Sequence, residues 1–385
     1  MTAPELRAAR EALTDTVQRF ASTEIAPHVT EWDAAGEFPR ALYRRAAEIG
    51  LLGIGYPEEF GGTPAPYALK LVLWRTLCRF GTSGGVQASL LSHNIGLPPV
   101  VLLARDDVKR EVVPAVLAGE KISALAITEP GGGSDVAALR ASARREGDEY
   151  VVSGEKTFIT SGMRADWITV AVRTDPDARG ARGISLLLVP GDSTGLSRRR
   201  LDKMGWLCSD TAQLYFDRVR VPARFLLGEE GTGFRAVMNN FNGERFGIAA
   251  GALGFAEACW DEALAWAQQR KTFGRALVEH QVIRHKLIDM QQRIRATAAW
   301  LERVAARADT GDLGADWVGE VATLKNQATQ TMAFCADAGV QILGGMGYMR
   351  GTVCERIYRE VKVITIGGGT EEIMKELAAR QWGIV

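Results

Sequence analysis

Two long runs toward the C-terminal end restrict this chain's fold more than any motif does. Ile283, Leu287, Met290, Ile294, Ala298, Leu301, Ala305 and Ala308 recur at alternating spacings of four and three. Val321, Leu324, Ala328, Met332, Cys335, Gly339 and Ile342 follow the same pattern. Such spacing puts each set on one helical stripe, and helices that long and apolar on one side must bury it against one another. Asp309-Thr310-Gly311-Asp312 reads as a turn between them, so the two helices run antiparallel in a bundle.

The rest of the chain divides by period. Residues 1–120 read as helical: Leu6, Ala9, Leu13, Val17 and Phe20 form an amphipathic stripe, and further helices are expected over 39–52, 68–80 and 97–118. Residues 121–228 hold short β-prone runs at 150–152, 167–172, 184–189 and 214–216. Gly, Pro, Asp and Arg separate these runs, which predicts an antiparallel β domain. From 229 to 385 the helical period returns. The expected class is therefore α+β multidomain, with an α-helical domain, a β domain and a helical bundle in that order; 385 residues are too many for one small core.

Lys plus Arg and Asp plus Glu are 46 each, so no net field favours nucleic acid or an anionic membrane. The Arg198-Arg199-Arg200 run is expected to be a solvated surface feature. Gly247–Ala256, the longest strongly apolar stretch, is half a membrane span, and the first residues carry no apolar leader; these features point to a cytoplasmic protein with no membrane span. Five scattered cysteines with no CxxC, and four histidines with no HExxH, argue against a disulfide framework and a metal site. There is no Walker motif, no GxSxG elbow, and no Rossmann fingerprint at Gly228–Gly233.

Ala124–Asp135 carries more information: a β-prone run meets Thr128-Glu129-Pro130, three glycines, then Ser134-Asp135. A loop so rich in exposed amides and hydroxyls suits a polar planar ring or a phosphate. Lys156–Ser161 adds an aromatic side chain flanked by hydroxyls, and Gly367-Gly368-Gly369-Thr370 forms a second glycine turn after an apolar run. With Pro57–Gly62, Met204-Gly205-Trp206, Ser209–Ala212, Arg270–Gly274, Glu279-His280-Gln281 and Gln341–Tyr348, these segments resemble, in order and over essentially the whole chain, the acyl-CoA dehydrogenase family.

The resemblance implies a middle β-barrel, a C-terminal four-helix bundle, non-covalent FAD, and a homotetramer or less often a homodimer. It implies that Leu125, Ile127, Thr128, Gly133, Ser134, Phe158, Ile159 and Thr160 hold the flavin ring and ribityl portions. By the same likeness Arg270, Thr272, Phe273, His280, Gln281, Gln341, Gly344 and Gly345 reach the adenine half across a subunit boundary, and Thr370 and Glu372 complete the diphosphate and adenosine end. Relatives usually carry the α-proton base in the C-terminal turn, where this chain has Gly368. The isovaleryl-type and long-chain-type branches place it instead at a Glu-Arg pair, which matches Glu244-Arg245. Glu244 is thus the expected base, and the Gly368 N–H, with a flavin ribityl hydroxyl, the expected partner of the thioester carbonyl. Ser134, Asn242 and Arg245 match substrate-side positions, and for Arg245 a structural ion pair stands as an equal reading. Phe158 replaces the commoner Trp, and Gly351-Thr352-Val353 stand where relatives more often have Glu-Tyr-Pro.

The expected reaction is α,β-dehydrogenation of an acyl-CoA to the trans-2-enoyl-CoA, with electrons passed to an electron-transfer flavoprotein. An acyl-carrier-protein-specific dehydrogenase and a flavin oxidase or monooxygenase share the fold and stay open here, as does a non-enzymatic flavoprotein scaffold.

Overall fold

The structure, a computed structural model, describes residues 2–178, 180–311 and 313–385. Helix α1 spans Ala3–Phe20 and carries the predicted stripe. The Thr2 side chain accepts from the Glu5 N–H while Glu5 accepts from the Thr2 N–H, a reciprocal cap. Then come α2 (Val29–Ala35), α3 (Ala41–Glu48), α4 (Tyr67–Gly81), α5 (Gly84–Leu90), α6 (His93–Gly96), α7 (Pro98–Leu103) and α8 (Asp106–Leu117). The helix expected over 39–52 is shorter because Gly50, at φ +78, ends it by sending its N–H and that of Leu51 back to Ala47 and Ala46. The run over 97–118 is two helices, broken where Ala104 and Arg105 are extended.

The middle segment forms an eight-stranded sheet: β1 (Ser123–Ala126), β2 (Ser142–Glu146), β3 (Glu149–Ile159), β4 (Trp167–Arg173), β5 (Ile184–Pro190), β6 (Leu196–Arg200), β7 (Ala212–Pro222) and β8 (Leu226–Leu227). Its hydrogen-bonded order is β6-β7-β3-β2-β4-β5-β8, with β1 beside β4. Most pairs are antiparallel, as predicted. The sheet is nevertheless mixed, since β1 runs parallel to β4 in the register Ser123↔Trp167 to Ala126↔Val170. The arginine run is not simply solvated: it is the edge strand β6, where Arg198 donates to the carbonyls of Ala165 and Gly191 and Arg200 to that of Gly36. A charged edge also discourages pairing with another chain.

Beyond the sheet lie α9 (Gly233–Gln269), a short hairpin (271–276), α10 (Gln281–Thr310), α11 (Trp317–Leu343), α12 (Val353–Ile366) and α13 (Glu371–Gln381). Both predicted stripes are found on α10 and α11. The turn between them lies later than expected, with α10 running through Thr310 to a cap at Gly311 (φ +73) and α11 starting only at Trp317; Asp312 lies outside the described residues. Helix α9 is central and apolar nearly all round. Its Gly/Ala-rich stretch explains itself through α4: a Cβ at Gly254 would sit 2.1 Å from the Arg75 carbonyl oxygen, so α4 could not approach. Thr352 and Val353, where the chain departs from its relatives, start α12. The Thr352 hydroxyl accepts from the Glu355 N–H, and Glu262 of α9 accepts from Val353 and Cys354.

Burial follows two cores. One joins α1–α5 to α9–α12 through residues such as Leu71, Trp74, Phe246, Leu253, Met290, Leu324 and Ile357. The other joins α7 and α8 to the sheet through Val100, Val112, Val116, Leu186, Leu188 and Phe216. The N-terminal helices are thus shared between the bundle and the sheet. All five cysteines are buried and free. No single helix among the described residues is long and apolar enough to cross a membrane.

Candidate active site

Glu244 lies on α9 just before its buried stretch begins at Arg245, and the turn 367–369 between α12 and α13 comes up against it. A Cβ built on Gly368 would lie 3.9 Å from Glu244 Oε1 and 2.9 Å from Ile248 Cδ1. Gly368 and Glu244, the two positions between which the sequence reading places the base, are therefore neighbours in space, although 124 residues apart in sequence (368 − 244). Glu244 keeps a little exposure as a residue, yet its Oε2 is fully buried and has no hydrogen-bond partner among the described residues. Burial pushes its carboxyl up to about 7, against the pull of Arg245 and Lys325 toward lower values. A buried, unpartnered carboxylate oxygen is costly, and such groups are kept where chemistry uses them.

The turn itself is tied down by its carbonyls. Arg245 Nε donates to the Gly368 oxygen at 2.9 Å, and Lys325 Nζ donates to the oxygens of Thr365 (3.2 Å) and Gly369 (2.7 Å). Asn326 holds the Glu371 oxygen at 2.9 Å, and the Thr370 hydroxyl accepts from the Ile373 N–H to cap α13. The N–H groups of Gly368 and Gly369 have no protein acceptor among the described residues. Both glycines have positive φ, +68 and +107. The turn is thus a nest, set against Glu244, whose two donors are unclaimed among the described residues. Of the two readings of Arg245, the structural ion pair is not found among the described residues: the buried guanidinium instead pairs with a backbone carbonyl and with Asn242 Oδ1 (3.3 Å). Burial lowers its pKa and Glu244 opposes this.

A second group gathers the loop after β1 and the end of β3. Leu125 and Ile127 are buried, whereas Thr128 is half-buried and Gly133 and Ser134 are exposed. The Thr157 N–H donates to the Thr128 oxygen at 2.9 Å. Lys156, with no exposed surface, donates to Ile127 O (3.0 Å) and Glu129 Oε1 (2.8 Å), and Glu129 also accepts from the N–H of Arg140 and Ala141. Burial would raise Glu129, but Lys156 and those N–H groups outweigh it and leave the carboxyl below its usual range. The β3 register shifts between Lys156 and Ile159, and this bulge turns Phe158 (φ +61) out of the sheet, 69% exposed. Ile159 packs inward and Thr160 lies half-buried beside it. Lys156→Met leaves Glu129 buried beside the loop without its cation. We expect a loss of about 3 kcal/mol, the low end for breaking a buried pair because two N–H donors remain. The FAD-to-protein ratio after gel filtration should fall with it, and an unchanged ratio and melting temperature would contradict the pairing's role.

The third group is the hairpin and its flank. Thr272 Oγ1 meets His280 Nε2 at 3.0 Å, Phe273 packs edge-on to His280, and Arg270 and Gln281 bracket them. Phe273 at the hairpin tip is 98% exposed. The fourth is the α11 corner, where Gln341, Gly344 and Gly345 are exposed. Thr370 and Glu372 open α13, beside the first group. Among the described residues no hydrogen bond, ion pair or ring contact crosses from one group to another.

These surfaces fit a flavin dinucleotide: an outward-facing aromatic ring, a loop where a Cβ at Gly131 would meet nothing within 4 Å, and a nest of N–H groups unclaimed among the described residues. Lys325, Asn326 and Glu129 were not anticipated as site residues. Lys325 had a signal, for it is the one charged residue between Glu320 and Asp337 of α11.

A buried carboxyl beside an amide nest, with a separate loop suited to a planar ring, is an arrangement that flavin-dependent C–H chemistry can use. Family models of the acyl-CoA dehydrogenase N-terminal, middle and C-terminal domains match residues 7–120, 124–219 and 231–383. The chain is 36% identical over 369 residues to the mitochondrial long-chain specific acyl-CoA dehydrogenase of Mus musculus, covering 95% of this chain and 85% of that one. Its fold is similar to that of a probable acyl CoA dehydrogenase from Mycobacterium abscessus (TM-score 0.94, 46% identity, 99% and 100% of the two chains). An acyl-CoA dehydrogenase from Geobacillus kaustophilus gives a TM-score of 0.92 at 35% identity, over 99% and 98%. The chain belongs to the acyl-CoA dehydrogenase family, FAD-binding oxidoreductases that act on CH–CH groups.

Proposed function

We propose that this protein dehydrogenates an acyl-CoA at the α,β bond, with Glu244 as the α-proton base. The observation that carries the assignment is the buried, unpartnered Glu244 Oε2 beside the free N–H of Gly368. A thioester α-proton is weakly acidic, so the site must both accept the proton and stabilise charge developing on the carbonyl oxygen. Glu244 takes the pro-R α-proton, and the Gly368 N–H donates to the thioester carbonyl. Arg245, bonded to the Gly368 oxygen, fixes the peptide plane that follows Gly368 and so helps hold the turn in place. FAD, when bound, supplies the acceptor for the β-hydride. Thr128, Ser134, Phe158 and Thr160 are the residues that would hold its ring. Asn242 and Ser134 line the substrate side.

The isolation of the hairpin group, with Phe273 almost wholly exposed, supports an oligomer in which Arg270–Gln281 and Gln341–Gly345 complete a neighbouring protomer's cofactor site. An electron-transfer flavoprotein is the electron acceptor we assign. Anaerobic titration with acyl-CoA should bleach the flavin; bleaching only by acyl-carrier protein, or substantial peroxide under air, would favour the related chemistries instead.

The pH dependence has a definite sign. Only ionised Glu244 can accept a proton, so kcat/KM should rise with pH, pass through an apparent pKa near 7, and level off above it. A pH–rate profile that is flat between pH 5 and 8, roughly the span over which such a group titrates, would contradict it.

A further inference from the structure

We propose that Lys325 is a positioning residue for this reaction: by bonding the carbonyls of Thr365 and Gly369 it locks the intervening turn in the conformation that leaves the Gly368 N–H free beside Glu244. The proposal rests on the acyl-CoA reading of the same site.

Lys325 has no exposed surface, and an ammonium so buried costs several kcal/mol unless it is well bonded. Its two acceptors are both backbone oxygens, that of Thr365 at the end of α12 (3.2 Å) and that of Gly369 in the turn (2.7 Å), one before and one after Gly368. The charged groups facing it are Glu371 and Glu372 from α13 and Arg245 and Glu244 from α9. None of the three carboxylates lies within ion-pair distance of its Nζ among the described residues. A purely structural cap for α12 would not require a charge, since an amide can bond a carbonyl; neighbouring Asn326 does so at Glu371. The ammonium instead spans two carbonyls at once, and glycines at φ +68 and +107 have many other conformations open to them. With Arg245 on the Gly368 oxygen, two cations hold three successive anchor points and no protein group takes the amide donors.

The test uses the FAD-loaded enzyme and a 3-thia-acyl-CoA. Sulfur at the β position leaves the α-proton acidic but removes the hydride, so the oxidised flavin and the enolate show a charge-transfer band without turnover. Per bound FAD, Lys325→Met should lose most of that band, and kcat with acyl-CoA should fall about 10- to 100-fold with KM changed much less, below the full loss of an oxyanion donor. Lys325→Gln reaches at most one of the two carbonyls and should lose the band several-fold, so it decides the matter if the Met variant does not fold. A wild-type band per FAD in either variant overturns the proposal, whatever happens to melting temperature or FAD content. No band in the wild-type enzyme with any 3-thia-acyl-CoA would overturn the acyl-CoA reading itself.

Discussion

Glu244→Gln should bind FAD normally and lose dehydrogenation by about two to four orders of magnitude, the scale of a missing general base. The substitution keeps shape and volume, and Oε2 has no hydrogen bond to lose, so cofactor and fold should be spared. The variant should also be more stable than wild type at alkaline pH. The folded carboxyl is raised to about 7 from an ordinary value of 4.5. The stability associated with this group is therefore fully present below about 4.5 and lost as pH rises through 7. A neutral Gln carries no such loss, so the variant should gain about 1–3 kcal/mol at pH 8 and almost nothing at pH 5. Steady-state turnover, FAD content and melting temperature measured at both pH values check all three parts. An inactive variant that is also less stable at pH 8 would mean that Glu244 is a structural group.

The second large effect concerns relocating the base. Glu244→Gly alone should be as inactive as Glu244→Gln. Adding Gly368→Glu should return about a tenth or less of wild-type activity, roughly 10- to 100-fold above the single variant if the proton is reached at all. The site geometry explains both the gain and its limit. A side chain at 368 starts 3.9 Å from where the Glu244 carboxylate sits, but it must displace Ile248 Cδ1, only 2.9 Å away. It must also tolerate φ +68, which costs a non-glycine residue about 1–2 kcal/mol. Turnover of single and double variants, normalised to bound FAD, decides it. No recovery in a double variant that folds and holds FAD would show that the two positions do not reach one proton.

Much of this was legible in the residues because it is local or periodic. The α10 and α11 stripes and the strands each show in a short window. What was hidden depends on how distant segments pack. The exposure of Phe158 comes from a bulge opposite β7, which no spacing within 156–161 reveals. Arg245 reads as half of an ion pair until a turn more than a hundred residues later offers it a carbonyl. Lys325 sits one position from a predicted core residue, and only the packing of α11 under α12 and α13 makes it a buried clamp. The sharing of N-terminal helices between two cores likewise needs tertiary contacts, since α4 and α8 carry the same kind of apolar period.

Single-turnover reduction of the bound flavin tests the central assignment most directly. Wild-type and Glu244→Gln enzymes, matched in FAD content, would be mixed anaerobically with a panel of straight and branched acyl-CoAs. The account predicts rapid bleaching of the wild-type flavin by at least one acyl-CoA, and for that same acyl-CoA a rate lower by about two orders of magnitude or more in the variant. Equal rates in the two proteins would contradict it.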